Sequence, residues 1–171
     1  MALWRRRVAV PVLVTPRLRI ISGDRQRGGD FVALCDPATM AAIGWTPADV
    51  GRRCSQFESG SGLIRLVTER LTGRAIGCVV GGRVGDTFSL LGWVGTEFRR
   101  QGFGSEALEV LCTDAFASGC RSVLMAIPTS DPGLVPFVEQ HQFVNTGSHQ
   151  MLSHDDAVID TLLYRRLPSA D

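Results

Sequence analysis

The sequence predicts one α+β domain, a central mixed and mostly antiparallel sheet of about seven strands flanked by about four helices. Three observations predict it. Residues 91–116, LGWVGTEFRRQGFGSEALEVLCTDAF, form an apolar strand that breaks at a glycine-bearing turn and continues into apolar positions at helical spacing. Residues 63–69, 75–80 and 87–94 read as three strands joined by turns at Thr72-Gly73 and Gly81-Gly82. Start and stop signals for short helices, Asp36-Pro37, Gly44 and Thr46-Pro47-Ala48-Asp49, lie between the first strand and those three. A length of 171 residues suits a single domain with its own core.

In chain order, residues 1–14 (MALWRRRVAVPVLV) read as an N-terminal extension or edge strand, and 15–171 as the domain proper. Pro11 restricts a strand there to a sheet edge. The three arginines and following apolar run imitate a signal peptide, but no A-x-A-like cleavage site follows. Residues 18–22 are a strand, 29–35 a helix, and Asp36-Pro37 opens a second helix that Gly44 stops in the left-handed conformation. Thr46 caps a third, with Pro47 at its first position. After the three strands, Ala107, Leu108, Leu111, Ala115 and Phe116 give the junction helix a buried face, and Ser118-Gly119 ends it. Residues 122–126 are a short strand, about 132–140 a helix, and 144–151 and 159–167 two closing strands.

The junction is built to hold a phosphate. A helix start leaves about four N–H groups without intrahelical partners and carries roughly half a positive charge, and glycines let an anion approach the backbone closely. A P-loop requires a lysine after its last glycine, and all 18 basic residues here are arginine. The dinucleotide fingerprint requires G-x-G-x-x-G at the head of a βαβ unit, and the spacing is wrong.

Residues 99–104, R-x-x-G-x-G, preceded by a strand whose Val94 lies five positions earlier, resemble motif A of the GNAT acyltransferases. Three flanking segments extend the likeness in order. Thr15-Pro16-Arg17-Leu18-Arg19-Ile20 resembles the first strand of the branch that contains the ribosomal-protein N-acetyltransferases RimJ and RimL. Residues 31–45, FVALCDPATMAAIGW, resemble its helix, D-P-x-x-M turn and Gly-Trp, and Ser105-Glu106-Ala107-Leu108 its motif-helix opening. The resemblance implies an acetyl-CoA-dependent N-acetyltransferase that passes an acetyl group directly to a primary amine of a small molecule or a peptide N-terminus. It places acetyl-CoA between two central strands, 87–94 and 122–126, splayed where Val94 and Gly95 stop pairing. The cofactor-binding residues it implies are Trp93, Val94, Gly95, Thr96, Arg99, Arg100, Gln101, Gly102, Phe103, Gly104, Ser105 and Asp131. A homodimer is among the assemblies it allows. Asp131 stands where relatives often have Asn, Val138 where some have an acidic Tyr, and Gln142 where Gly is usual. These departures support a second reading, a GNAT-fold protein that binds CoA or an acyl carrier without transfer to an amine.

Composition narrows the partners. Net charge is +1, so no basic surface calls for nucleic acid or an anionic membrane. No run of about 18 apolar residues predicts a membrane span. Five cysteines, without a C-x-x-C pair, fit reduced thiols in a cytoplasmic protein better than a disulfide framework or a zinc site, and no metal is expected. Two candidate catalytic groups remain. Asp86 shares strand parity with Phe88, Leu90 and Val94, and His149 lies on a strand with reach toward the acceptor side. Glu58, Glu69, Asp86 and Asp49 form an acidic acceptor groove if they converge. His154, Asp155 and Asp156 read as turn polarity, and Tyr164 as a packing residue.

Overall fold

The computed structural model describes residues 10–61, 63–154 and 157–169. Its elements are β1 (Leu13–Val14), β2 (Leu18–Ser22), α1 (Gly28–Ala33), α2 (Pro37–Ile43), α3 (Pro47–Glu58), β3 (Ile64–Glu69), β4 (Ala75–Val84), β5 (Thr87–Val94), α4 (Phe103–Ala117), β6 (Ser122–Pro128), α5 (Val135–Gln140), β7 (Val144–His154) and β8 (Ala157–Arg166). Short 3-10 turns precede α1, α4 and α5, so the expected helix over 132–140 is a 3-10 turn followed by α5. The eight strands form one sheet in the order β1-β2-β3-β4-β5-β6-β8-β7. Every pairing is antiparallel except β5 with β6, whose crossover is supplied by α4. This is the mixed, mostly antiparallel α+β sheet that the sequence predicts, with β1 at one edge.

The helix starts follow from local capping. Asp36 accepts the Thr39 N–H at 3.0 Å, and Thr46 and Asp49 form a reciprocal capping box. The Thr39 hydroxyl bond holds the Asp36 carboxyl below its usual range, and the Thr46 backbone N–H does the same for Asp49 against the opposing effect of burial. Gly44 stops α2 at φ 72°, as its sequence position predicts.

The Gly81-Gly82 turn is not formed. Strand β4 runs through both glycines to Val84, and the chain reverses at Gly85 and Asp86. Gly81 serves close strand approach instead: a Cβ on it would stand 2.9 Å from the Ser89 carbonyl oxygen.

Side-chain alternation divides the core across the sheet. One face buries Leu18, Ile20, Leu90, Val123 and Tyr164 against Phe103, Leu108 and Leu111 of α4 and Val138 of α5. The other buries Leu66, Cys78 and Trp93 against Phe31, Met40 and Phe57 of α1–α3 and Trp45 of the connection between α2 and α3. Phe31 and Phe57 stack with centroids 5.4 Å apart, and truncating either to Ala would cost about 3–5 kcal/mol.

Gln142, where a relative's Gly is usual, has φ 65° and comes one residue after the His141 cap of α5. A side chain there costs about 1–2 kcal/mol, partly offset in glycine by its greater chain entropy. Gln142→Gly is therefore expected to stabilise the fold by about 0.5–1 kcal/mol, read as a rise in Tm of about 1–4 °C.

Candidate active site

Strand β5 ends in a gap. Gly95 donates its N–H to the Ile76 carbonyl at 2.8 Å, so strand alternation turns the N–H and C=O of Val94 toward β6. The β5–β6 ladder, however, stops at Leu90 and Met125. Beyond it β5 stays on β4 to Val94, and β6 stays on β8 to Pro128. The expected splay is present, but it opens after Leu90 rather than at Val94 and Gly95, because outer ladders hold 91–94 and 126–128 apart. A Cβ on Gly104 would lie 3.7 Å from both Val94 Cγ2 and the Phe137 ring, so strand end, helix start and α5 converge there.

The turn after β5 makes a concavity lined by backbone N–H groups. Arg100 and Gly102 are left-handed, at φ 63° and φ 80°. Gly102 is the N-cap of α4 and contributes no side-chain bond, so the N–H groups of Phe103, Gly104 and Ser105 have no intrahelical acceptor. Alongside stands Arg17, which the sequence did not single out for the site. Its Nη1 donates to the Gln101 carbonyl at 2.9 Å, its Nε to Glu106 at 2.6 Å, and its guanidinium lies 4.6 Å from the Phe103 ring centroid. The signal was in the T-x-R-L motif: the Thr15 hydroxyl also donates to Glu106, and the Arg17 N–H does so at 2.9 Å. Burial alone would raise the Glu106 carboxyl, but these donors outweigh it and leave it below the usual range.

The other cofactor candidates divide. Gly102, Phe103, Gly104 and Ser105 form the helix start, with Gln101 and Arg100 on the exposed turn. The side chain of Arg99 turns back from it. Arg99 Nε donates to the Val94 carbonyl at 3.0 Å and Nη2 to the Thr39 hydroxyl at 2.8 Å, tying α2 to the gap. Trp93 packs edge-on to Trp45 and donates to the Leu34 carbonyl at 2.8 Å, so its side chain is core, on the face away from α4. Gly95 and Thr96 line an open groove of about 600 Å³ with Leu34, Asp36, Arg74 and Phe98. Asp131 precedes the 3-10 turn before α5 but makes no side-chain cap bond. Val138 is fully buried, and its neighbour Phe137 reaches the gap instead.

Of the catalytic candidates, Asp86 lies at the opposite end of β5, exposed beside Arg121 at 3.8 Å. His149 on the edge strand β7 pairs with Asp160 of β8 at 3.1 Å; the Asp160 carbonyl accepts the Thr129 N–H just past β6, which puts the pair near the gap's far rim. Tyr164 is core. The four acidic residues do not converge. Asp49 caps α3 and bonds Arg52, Glu58 lies against Gly28, and Glu69 holds Thr72 in the β3–β4 turn, while Asp86 lies in the hairpin. His154, Asp155 and Asp156 lie outside the residues whose side chains are described. Among the described residues no helix is long and apolar enough to cross a membrane, and no cluster of His, Cys, Asp or Glu could hold a metal. All five cysteines are free, with burial pushing Cys35 up to about 12 and Cys112 up to about 11.

A mixed sheet splayed beside an uncapped, glycine-bearing helix start defines the class of domain. The model of the Acetyltransferase (GNAT) family matches residues 33–143. The chain belongs to that family. Solved structures agree in fold: a GNAT-family acetyltransferase from Bacillus anthracis superposes with a TM-score of 0.78 at 14% identity, covering 92% of this chain and 98% of that one. An N-acetyltransferase from Staphylococcus aureus Mu50 gives 0.69 at 17%, covering 88% and 98%. The ribosomal-protein-S18-alanine N-acetyltransferase from Escherichia coli gives 0.64 at 17%, covering 90% and 96%. No curated protein matches the sequence significantly.

Proposed function

We propose that this chain is an acetyl-CoA-dependent N-acetyltransferase that transfers an acetyl group directly to a primary amine, of a small molecule or a peptide N-terminus. The observation that carries the reading is the uncapped α4 start, with Gly102, Gly104 and Arg17, at the mouth of the β5–β6 gap. Pyrophosphate fits those amides, and the pantetheine amides fit the unpaired edge of β5 beyond Leu90 as an added strand. An oxyanion developing from the thioester would lie near the Val94 N–H. Orientation supplies most of the rate, on the order of 7–11 kcal/mol for well-placed reactants. An α-amino acceptor, with a pKa of about 8, is partly neutral without a strong base. A domain spanning 15–171, a cytoplasmic location and a homodimer belong to the same proposal.

One observation favours a second reading, CoA or acyl-carrier binding without amine transfer. Val138 stands where some relatives carry the Tyr that protonates the leaving thiolate, and it is fully buried and has no hydroxyl. Thiol release from acetyl-CoA across a panel of amino acids, polyamines and peptides separates the two. Release with at least one acceptor is the expected result. Binding of CoA with no release from any acceptor supports the second reading, and no binding of CoA overturns both.

A further inference from the structure

Behind the α4 start lies a chain of polar groups, buried at His141 and half-exposed at Glu109, that the transfer reaction leaves unused. His141, which follows α5 and is 8% exposed, contacts Glu109 at 2.7 Å through Nδ1 and the Ser105 hydroxyl at 3.0 Å through Nε2. Glu109 is held in turn by both terminal nitrogens of Arg166, at 2.8 and 3.0 Å. The order carboxylate, imidazole, hydroxyl is that of a nucleophile relay. Here the hydroxyl belongs to Ser105, one of the first residues of α4, whose own N–H is among the unpaired amides.

We infer that His141 is a positioning residue for the donor's pyrophosphate: it sets the direction of the Ser105 hydroxyl and couples CoA binding to uptake of a proton. The inference rests on the donor site proposed above. With its Nδ1 proton on Glu109, a neutral imidazole can only accept at Nε2, so the Ser105 hydrogen points inward and the hydroxyl shows lone pairs to the phosphate. A protonated ring donates from both nitrogens. The Ser105 hydrogen is then free to donate outward, and a positive charge stands one side chain from the pyrophosphate. Binding the anion therefore favours the protonated ring. The groups packed around the ring keep their charge through neutrality. Burial would raise Glu109, but Arg166 and His141 outweigh it and leave it below the usual carboxylate range. Burial would lower Arg166, but Glu109 outweighs it and leaves the guanidinium above its usual value. Cys112, beside Arg166, is pushed up to about 11, and the Phe137 ring stands 4.9 Å from the imidazole.

Calorimetric titration of the full chain with 3′-dephospho-CoA, which lacks the phosphomonoester that itself titrates near pH 6, in buffers of different ionisation enthalpy, reads the proton count. Uptake of a fraction of a proton per ligand is expected, with affinity rising severalfold from about pH 8 to about pH 6. In His141→Asn the uptake and the pH dependence should both vanish. Should that variant not fold, Ser105→Ala, at a partly exposed position, decides: it is expected to weaken binding severalfold at about pH 6 and hardly at all at about pH 8. Binding by the wild type without proton uptake, uptake unchanged in His141→Asn, or an equal effect of Ser105→Ala at both pH values overturns the inference while leaving the donor site standing. No binding of dephospho-CoA or CoA overturns the donor site itself.

Discussion

Gly104→Glu is expected to abolish CoA binding in calorimetry while leaving the protein folded. The two outcomes separate because the position lies in the first turn of α4, where a carboxylate complements the positive helix end and raises helix stability by about 0.3–1 kcal/mol. Space is available for the first carbon: a Cβ there meets only Val94 and Phe137, at 3.7 Å, which is ordinary contact. The rest of the side chain has to occupy the concavity over the free N–H groups of Phe103 and Ser105, where the pyrophosphate would sit. Like charges then meet in a site partly shielded from water, and the mutant's own carboxylate satisfies the donors the ligand needs. Gly104→Ala is the control, with an unchanged Tm and affinity reduced about tenfold, the effect of roughly 1.4 kcal/mol, because its methyl group holds the anion back from the amides. Tight CoA binding by Gly104→Glu would mean that the cofactor does not use this helix start.

Much of this site was readable because its parts are local. The left-handed Gly102, the break after Val94 and the helical spacing from Phe103 lie in one short stretch, and each has a backbone reason that survives any tertiary context. The caps Asp36 and Thr46 were legible for the same reason, since each bonds a residue three positions on. Parts that depend on distant neighbours were not. Gly81-Gly82 carries a turn signal, yet what requires glycine there is the Ser89 carbonyl on the next strand. Counting back from Gln142-Phe143 finds Val138, but the count says nothing of which way α5 faces, and packing turns Val138 inward and Phe137 toward Gly104. Arg99 reads as a phosphate ligand by motif, while its guanidinium finds acceptors on Val94 and Thr39, the latter 60 positions away. The His141 chain joins residues from α4, the end of α5 and β8, and no spacing along the sequence announces it.

Glu106→Gln is expected to destabilise the fold by about 2–4 kcal/mol, although it changes one atom. The carboxylate accepts from the Thr15 hydroxyl, the Arg17 N–H and Arg17 Nε, and its side chain is only 18% exposed. Three donors converge on two oxygens. An amide presents one oxygen and one NH2, so the NH2 must face a donor, and the pair with the guanidinium loses its charge. Glu106→Ala should cost a similar amount, because it leaves the same donors unpaired near the helix end. The loss should appear as a fall in Tm of about 4–16 °C. Acid titration of the wild type offers an independent check. The folded carboxyl titrates below its unfolded value of about 4.3, so its contribution is complete above that pH and is lost as pH falls through the folded value. The stability difference between wild type and Glu106→Gln should therefore be constant from neutral pH down to about 5 and shrink below about 4. A Gln variant as stable as the wild type would show that the clamp between the Thr15-Arg17 segment and α4 contributes nothing to the fold, and a difference that stays flat to low pH would show that its contribution does not come from the carboxylate's charge. Because the same Arg17 also stands beside Gly102 and donates to the Gln101 carbonyl, losing its anchor should weaken CoA binding in the folded fraction as well.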